Sequence, residues 1–189
     1  MDFADKQIGV IGVAVHNFPL VDWLLEQGAK VVVCDAKRKE ELAAYPELQK
    51  RPVEFRLGPR YLNHLTDFDV LFQTPGAWHS TKIKLKEASQ KGVVVTSQTQ
   101  LFFDLCPAPI IGVTGTKGKG TVSALMYEML KAAGKEVLIG GNVYEAPPIT
   151  LLDKLTSKSW VVLELSSFQL ESLTKSPHIA VVLAITPDH

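Results

Sequence analysis

The residue types best suited to chemistry are concentrated in Gly112-Val-Thr-Gly-Thr-Lys-Gly-Lys-Gly-Thr121. A bound phosphate needs several backbone amides aimed at one point, and residues without side chains let the backbone come close enough to supply them. It also needs a helix N-terminus behind those amides and a lysine that reaches the outer phosphates. Gly115, Thr116, Lys117, Gly118, Lys119, Gly120 and Thr121 are read as that cradle, with Lys119 as the reaching cation. Two features depart from the usual P-loop. The glycine expected five positions before Gly118 is Val113, with Gly112 one step earlier. Gly120 stands where a hydroxyl residue normally follows the lysine, so Thr121 is the nearest hydroxyl for a magnesium ion. The bland alternative is a glycine-rich turn with solvated lysines. An apolar strand before the loop and an amphipathic helix after it weigh against that.

A second chemical position is Glu164, which closes the apolar run Val161-Val-Leu163. An acid at such a strand end, in a chain with a phosphate loop, can hold Mg²⁺ or orient water beside a terminal phosphate. Taken alone it is a weak signal, since many strand ends carry an acid that merely caps a helix. A third position is Gly9-Val-Ile-Gly12-Val-Ala14-Val-His-Asn17, again between a strand and a helix. The dinucleotide fingerprint Gly-x-Gly-x-x-Gly uses its glycines for the turn, the ligand approach and the helix packing. Here only Gly12 is in place; Ala14 and Asn17 fill the other two positions. Asp35 ends the next strand, where such folds place an acid for the nucleoside. The pattern supports a nucleotide-binding domain and argues against ordinary NAD binding.

The elements that position these residues are short apolar, β-branched runs: Ile8–Ile11, Val31–Cys34, Val70–Phe72, Val93–Val95, Ile110–Val113, Val137–Ile139, Val161–Leu163 and Ile179–Ile185. They show little alternation, as expected of parallel strands buried on both faces. Helix patterns lie between several of them, at Pro19–Gln27 before Gly28 and at Lys119–Ala133 before Gly134. In the second, Val122, Leu125, Met126, Met129, Leu130 and Ala133 recur at helical spacing. Cys106-Pro-Ala-Pro109 can continue neither a helix nor a central strand, because proline lacks the N–H donor. The expectation is an α/β chain with a Rossmann-like parallel-sheet domain at residues 1–106. The first part of a P-loop α/β ATPase domain follows at 110–189, cut off after a strand.

Composition narrows the classes further. Twenty basic and twenty acidic residues leave zero formal net charge, which gives no general attraction to nucleic acid or an anionic membrane. Two cysteines in 189 residues give no disulfide framework or metal cluster. The N-terminus lacks a basic segment followed by a long apolar stretch, and no run approaches membrane-spanning length. A cytoplasmic, monomeric protein is expected.

Together these residues resemble the Mur ligases. Gly112 to Lys119 is similar to that superfamily's own phosphate loop, which accounts for the displaced first glycine. Glu164-Leu-Ser-Ser-Phe-Gln-Leu-Glu171 is more similar to the D-glutamate-adding branch than to the branches adding L-alanine, a diamino acid or a dipeptide. Gly140-Gly-Asn142 and Thr186-Pro-Asp-His189 match in order and approximate spacing. The resemblance implies a first domain holding the UDP part of UDP-N-acetylmuramoyl-L-alanine and a central domain holding ATP and Mg²⁺. A third domain would bring D-glutamate. The substrate carboxylate would attack the terminal phosphate, and the acyl phosphate would be captured by the amine. By position, Val15, His16, Asp35, Thr74, Pro75 and Gly76 would surround the UDP, with Asn142 near its diphosphate. Lys119, Glu164 and His189 would be catalytic, and Thr121, Glu164 and His189 would face the metal. Ser166 and Gln169 would line the muramoyl side. The family's carbamylated lysine would fall beyond His189, so the 189 residues by themselves are expected to be inactive.

Two alternatives remain at this point: a Mur-type amide ligase for another amino acid or acceptor, and a nucleotide-binding partner subunit without catalysis. Gly120 keeps the second open. The broken glycine pattern beside Asp35 predicts that the chain binds UDP-N-acetylmuramoyl-L-alanine or UDP in preference to NAD. Titration calorimetry with the three ligands checks this, and tighter binding of NAD overturns it.

Overall fold

The computed structural model describes residues 2–12, 14, 17–74, 78–142 and 147–187. Two parallel sheets organise them. The first contains β1 (Gln7–Ile11), β2 (Lys30–Asp35), β3 (Glu54–Leu57), β4 (Val70–Gln73) and β5 (Val94–Ser97), in the order β3-β2-β1-β4-β5. Every pairing in it is parallel. Helices α1 (Phe18–Glu26), α2 (Pro46–Gln49), α3 (Trp78–Gln90) and α4 (Gln98–Leu105) occur between or after these strands. Strands β1, β2 and β4 are buried almost end to end, as their unbroken apolar runs require. Ile11, Cys34, Leu71 and Leu85 lie at the centre of one core cluster, each 1% exposed or less. The chain order reverses direction between β1 and β4, the switch point at which open α/β sheets leave a crevice beyond their strand ends.

The second sheet contains β6 (Ile110–Thr114), β7 (Val137–Gly141), β8 (Trp160–Glu164) and β9 (Ile179–Val182), in the order β7-β8-β6-β9. It too is parallel throughout. Helix α5 (Lys119–Ala132) follows β6, and α6 (Ser167–Glu171) follows β8. Successive residues of a strand face opposite sides, and the two cores divide accordingly. Ile110, Val161 and Leu163 pack with Phe102, Phe103 and Leu151 on one face. Ile111, Val113 and Val162 pack under α5 on the other. Val161, Val162 and Leu163 are fully buried, each contributing roughly 2 kcal/mol. Strand β9 lies at the sheet edge, with Val182 62% exposed.

The mixed α/β architecture with parallel sheets is the one expected, and eight of the nine strands fall on the apolar runs. Strand β3, Glu-Phe-Arg-Leu, carries no apolar run and sits at an edge, where one face and one side are open. Helix α5 turns a different face inward than its spacing implies: Val122, Met126, Tyr127 and Leu130 pack on the sheet. Leu125 and Met129 are 58% and 70% exposed. The compact units divide between Gln98 and Thr99. This is ahead of the proline segment, since Phe102 and Phe103 of α4 belong to the second sheet's core.

One contact in the second sheet sets the spacing of β7 and β8. Gly141, at φ +117°, lies so close to β8 that a Cβ there would collide with the carbonyl oxygen of Glu164 and stand 2.7 Å from its nitrogen. Gly141→Ala should therefore lower stability by about 3 kcal/mol, from backbone strain plus overpacking. Urea unfolding of the two proteins checks it; a change within experimental error would show that the strands separate freely.

Candidate functional site

The phosphate-loop geometry follows directly from the strand and helix on either side of it. Strand β6 ends at Thr114, and α5 begins at Lys119. Gly115 and Gly118, at φ +142° and +83°, reverse the chain in conformations that side chains disfavour. Gly118 caps α5, with its carbonyl accepting from the Val122 amide at 3.0 Å. The outer wall is tied to the segment after β9. The Thr116 amide donates to the Ala184 carbonyl at 3.0 Å. The Thr116 hydroxyl donates to the Thr186 carbonyl at 3.0 Å and accepts from the Thr186 amide at 2.9 Å. Thr116 thus holds the loop in place. Lys119 folds back so that its Nζ donates to the carbonyls of Gly115 (2.7 Å) and Thr116 (3.1 Å). Lys117, Gly118 and Thr121 are exposed.

Glu164 ends β8 beside this loop and is 1% exposed. The Asn142 side chain hydrogen-bonds its carboxylate, and the Asn142 amide donates to its carbonyl at 3.1 Å. Oxygen Oε2 is buried and has no hydrogen-bond partner among the described residues. Gly120 of α5 lies close to it, so that a Cβ there would stand 3.1 Å away. Burial raises the Glu164 carboxyl above its ordinary range, while the Lys119 charge and the Asn142 hydrogen bond pull it back. A desolvated carboxylate oxygen without a donor, beside a loop of backbone amides, is chemically suited to a divalent cation. Glu164, Lys119 and the loop are brought together as the sequence predicts. Thr121 is not shown facing the acid; Gly120 does. His189 lies outside the described residues. Among those described, no three His, Cys, Asp or Glu side chains form a metal-binding group.

Ser166 and Gln169 are engaged with each other. The Ser166 hydroxyl accepts from the Gln169 amide, and the Gln169 Oε1 accepts from the Ser166 amide at 2.8 Å, forming a capping box at the start of α6. Gln100, four residues before Asp104, accepts from the Thr174 amide and hydroxyl at 2.8 and 3.1 Å.

The first unit holds a second candidate site at the C-terminal ends of its strands. Gly12 follows β1 so closely packed that a Cβ would lie 2.6 Å from the Thr74 hydroxyl. Asn17, 7% exposed, donates from Nδ2 to the Gly12 carbonyl at 2.8 Å. The residue standing in for the fingerprint's last glycine is thus a clamp across the turn. Asp35 ends β2, 8% exposed; it accepts from the Lys37 amide at 2.8 Å and lies 3.6 Å from the Lys37 ammonium. Val15, His16, Pro75 and Gly76 lie outside the described residues. Sequence reasoning missed Tyr61, whose phenol is pushed up by burial and by the Asp35 charge and hydrogen-bonds Ser80. It also missed Gln73 and Gln98, whose Oε1 and Nε2 are buried without partners among the described residues. For Gln73 the available signal was a polar residue closing an apolar strand run. Cys34, beneath this edge, is a free thiol that burial pushes up to about 11.

Comparison with known proteins follows the same division. Residues 6–97 match the family described as Mur ligase MurD-like, N-terminal domain, and residues 113–189 match the Mur ligase middle domain. A UDP-N-acetylmuramoylalanine–D-glutamate ligase of Clostridium kluyveri is 42% identical over 185 residues, 97% of this chain. Its counterpart in Clostridium acetobutylicum is 40% identical over 187 residues, 98% of this chain. The chain spans 40% of the length of each of these relatives. Among solved structures, the UDP-N-acetylmuramate:L-alanyl-gamma-D-glutamyl-meso-diaminopimelate ligase from Neisseria meningitides shares the fold. Its TM-score is 0.54 at 20% identity, covering 98% of this chain and 62% of that one.

The burial of Glu164 has a measurable consequence. With its folded pKa above the ordinary 4.5, the folded state holds the proton more tightly than the unfolded state does. The ionised group therefore opposes folding, a cost absent below the ordinary value and complete once pH has risen through the folded value. Glu164→Gln should be more stable than the parent chain at pH 7, with the gain shrinking to nothing as pH falls below 4.5. Thermal unfolding across that pH range is the measurement. A gain independent of pH would assign the effect to packing.

Proposed function

The chain belongs to the Mur ligase family, and from that premise we propose that it is the front part of an ATP-dependent amide ligase of peptidoglycan precursor synthesis. The reaction proposed is addition of D-glutamate to UDP-N-acetylmuramoyl-L-alanine. The observation that carries this reading is the correspondence, near 40% identity across nearly the whole chain, with proteins named for that reaction. The loop geometry gives it a physical basis. ATP would lie along residues 115–121, with its terminal phosphate serving to activate the muramoyl carboxylate. Lys119, already poised over the loop carbonyls at 2.7 and 3.1 Å, would transfer its ammonium to the phosphates. There its charge would stabilise the charge developing during phosphoryl transfer.

Glu164 Oε2, buried without a partner, fits a role toward Mg²⁺, with His189 and Thr121 as further candidates. In the first unit, Asp35 and Thr74, together with Val15, His16, Pro75 and Gly76, would hold the UDP. Ser166 and Gln169 would meet the muramoyl part while maintaining the α6 cap. The domains in this reading are a UDP-substrate domain at 1–106 and a partial ATP-binding domain from 110. Among the described residues no helix is long and apolar enough to cross a membrane; a cytoplasmic location is part of the proposed reading.

The test uses the whole ligase to which these residues belong. Mass spectrometry should detect the D-glutamate adduct only with ATP, Mg²⁺ and both substrates present. Lys119→Ala should lower turnover on the order of 100-fold or more, the scale of removing a charge from a phosphoryl-transfer site. Lys117→Ala, at an exposed position, should lose far less. Failure to form the adduct with D-glutamate while another amino acid is accepted would refute the proposed substrate.

A further inference from the structure

Helix α6 has five residues, Ser167–Glu171, too few for a helix to hold its own shape in water. Its entrance is fixed by the Leu165 amide, which donates to the Val113 carbonyl at 2.9 Å, and by the Ser166–Gln169 capping box. Its exit is tied back onto the helix. The Ser172 hydroxyl donates to the Gln169 carbonyl at 3.2 Å, and the Leu173 amide donates to the Leu170 carbonyl at 3.1 Å. The next two residues are gripped from α4. Gln100, 8% exposed, accepts from the Thr174 amide and hydroxyl and donates from Nε2 to the Asp104 carboxylate at 3.1 Å. Asp104 in turn pairs with the Lys175 ammonium at 2.6 Å. The carboxamide can face only one way, because a backbone amide only donates and a carboxylate only accepts. A buried polar group satisfied at both ends stiffens what it joins. Two consecutive residues leaving α6 are thus clasped by two residues one turn apart on α4.

We propose that Gln100 is a positioning residue for the muramoyl substrate. Through Thr174 it fixes the exit of α6, and thereby the placement of Ser166 and Gln169 at the entrance. The inference rests on the proposed ligase reading, in which those two side chains meet the muramoyl part, and adds a residue that acts through them. Hydrogen-bonding partners of a substrate tolerate little displacement; about 1 Å can cost on the order of 100-fold. Loss of the clasp is therefore felt in binding of the muramoyl substrate. Binding of ATP is spared, because its loop is held separately, through Thr116 and Thr186.

Two measurements test it. Hydrogen exchange on the 189-residue chain reads the clasp itself. Gln100→Met keeps the volume and removes both acceptor and donor; exchange at Thr174, Leu170 and Gln169 should quicken about tenfold or more. Faster exchange confined to Thr174 overturns the proposal. Steady-state kinetics on the whole ligase to which these residues belong read the consequence. Gln100→Met should raise KM for UDP-N-acetylmuramoyl-L-alanine about tenfold, while KM for ATP stays within about twofold. Gln100→Glu combined with Asp104→Asn returns an acceptor to Thr174, a donor to position 100 and an acceptor to Lys175. That pair should bring KM back to within about twofold of the parent value. Should Gln100→Met fail to fold, Thr174→Val removes one of the two bonds and should give the same pattern at about threefold. A purely structural role would lower the active fraction, and so kcat, with both KM values unchanged. That pattern, equal rises in the two KM values, or no rescue overturns the proposal. If the parent ligase does not accept D-glutamate, the ligase reading fails, and hydrogen exchange still decides whether the clasp holds α6. If the parent turns over and only the KM pattern is absent, the inference alone fails.

Discussion

A carboxylate removed from water demands that everything around it be small, polar or oppositely charged. Glu164 imposes that demand on the second unit. It ends the strand lying between β6 and β7, so its neighbours come from three directions at once. From β7 it meets Gly141, where a side chain would strike its carbonyl. From α5 it meets Gly120 and the charge of Lys119. From the turn after β7 it receives both the amide and the side chain of Asn142. The strand order decides that these groups meet, and the acid decides which residue types can stand there.

The loop itself is stabilised from the side away from the acid. Thr116 bonds twice to Thr186, and the Thr114 and Thr116 backbone continues the ladder to Leu183 and Ala184. Lys119 needs no partner outside the loop to be held, because two carbonyls accept from it. Hydrogen bonds to a charged donor contribute about 1.5–3 kcal/mol each, so moving the ammonium to a phosphate exchanges substantial interactions. The exchange would be favoured, because a doubly charged phosphate offers an ammonium more than two neutral carbonyls do. A lysine held in this way is ordered by the loop itself.

Which parts of this were legible in the sequence has a physical explanation. Buried parallel strands are visible as uninterrupted apolar runs, and β1, β2, β4, β6 and β8 follow them closely. Strand β3 is hidden because an edge strand with partly exposed residues needs no such run. The phosphate loop and Glu164 were legible because their chemistry requires particular residue types at fixed spacing. Gly141 was not, since its necessity comes from a neighbouring strand's carbonyl rather than from its own turn. Ser166 and Gln169 show the spacing of a capping box in the sequence, three residues apart. A resemblance to a substrate-contacting stretch drew attention away from that local role. The exposure of Leu125 and Met129 could not be read from periodicity alone, which fixes the width of an apolar stripe but not its rotation against the sheet.

In the first unit the departures from the dinucleotide fingerprint resolve into two kinds. Asn17 replaces a glycine with a side chain that closes the same turn through the Gly12 carbonyl, so the turn survives. Ala14 is different, because the fingerprint's second glycine exists to let the backbone approach a diphosphate, and a methyl group there prevents the closest approach. Gly12 remains glycine for a separate reason, the Thr74 side chain packed against it. A dinucleotide placed at this turn would lose one of its diphosphate contacts. Asp35 is held by the Lys37 amide and lies near the Lys37 ammonium, so a nucleoside at this edge would meet a carboxylate already fixed in place. These features suit a ligand recognised through its nucleoside, with its diphosphate held by groups other than this loop. NAD, whose diphosphate depends on the glycine-lined turn, is the poorer fit.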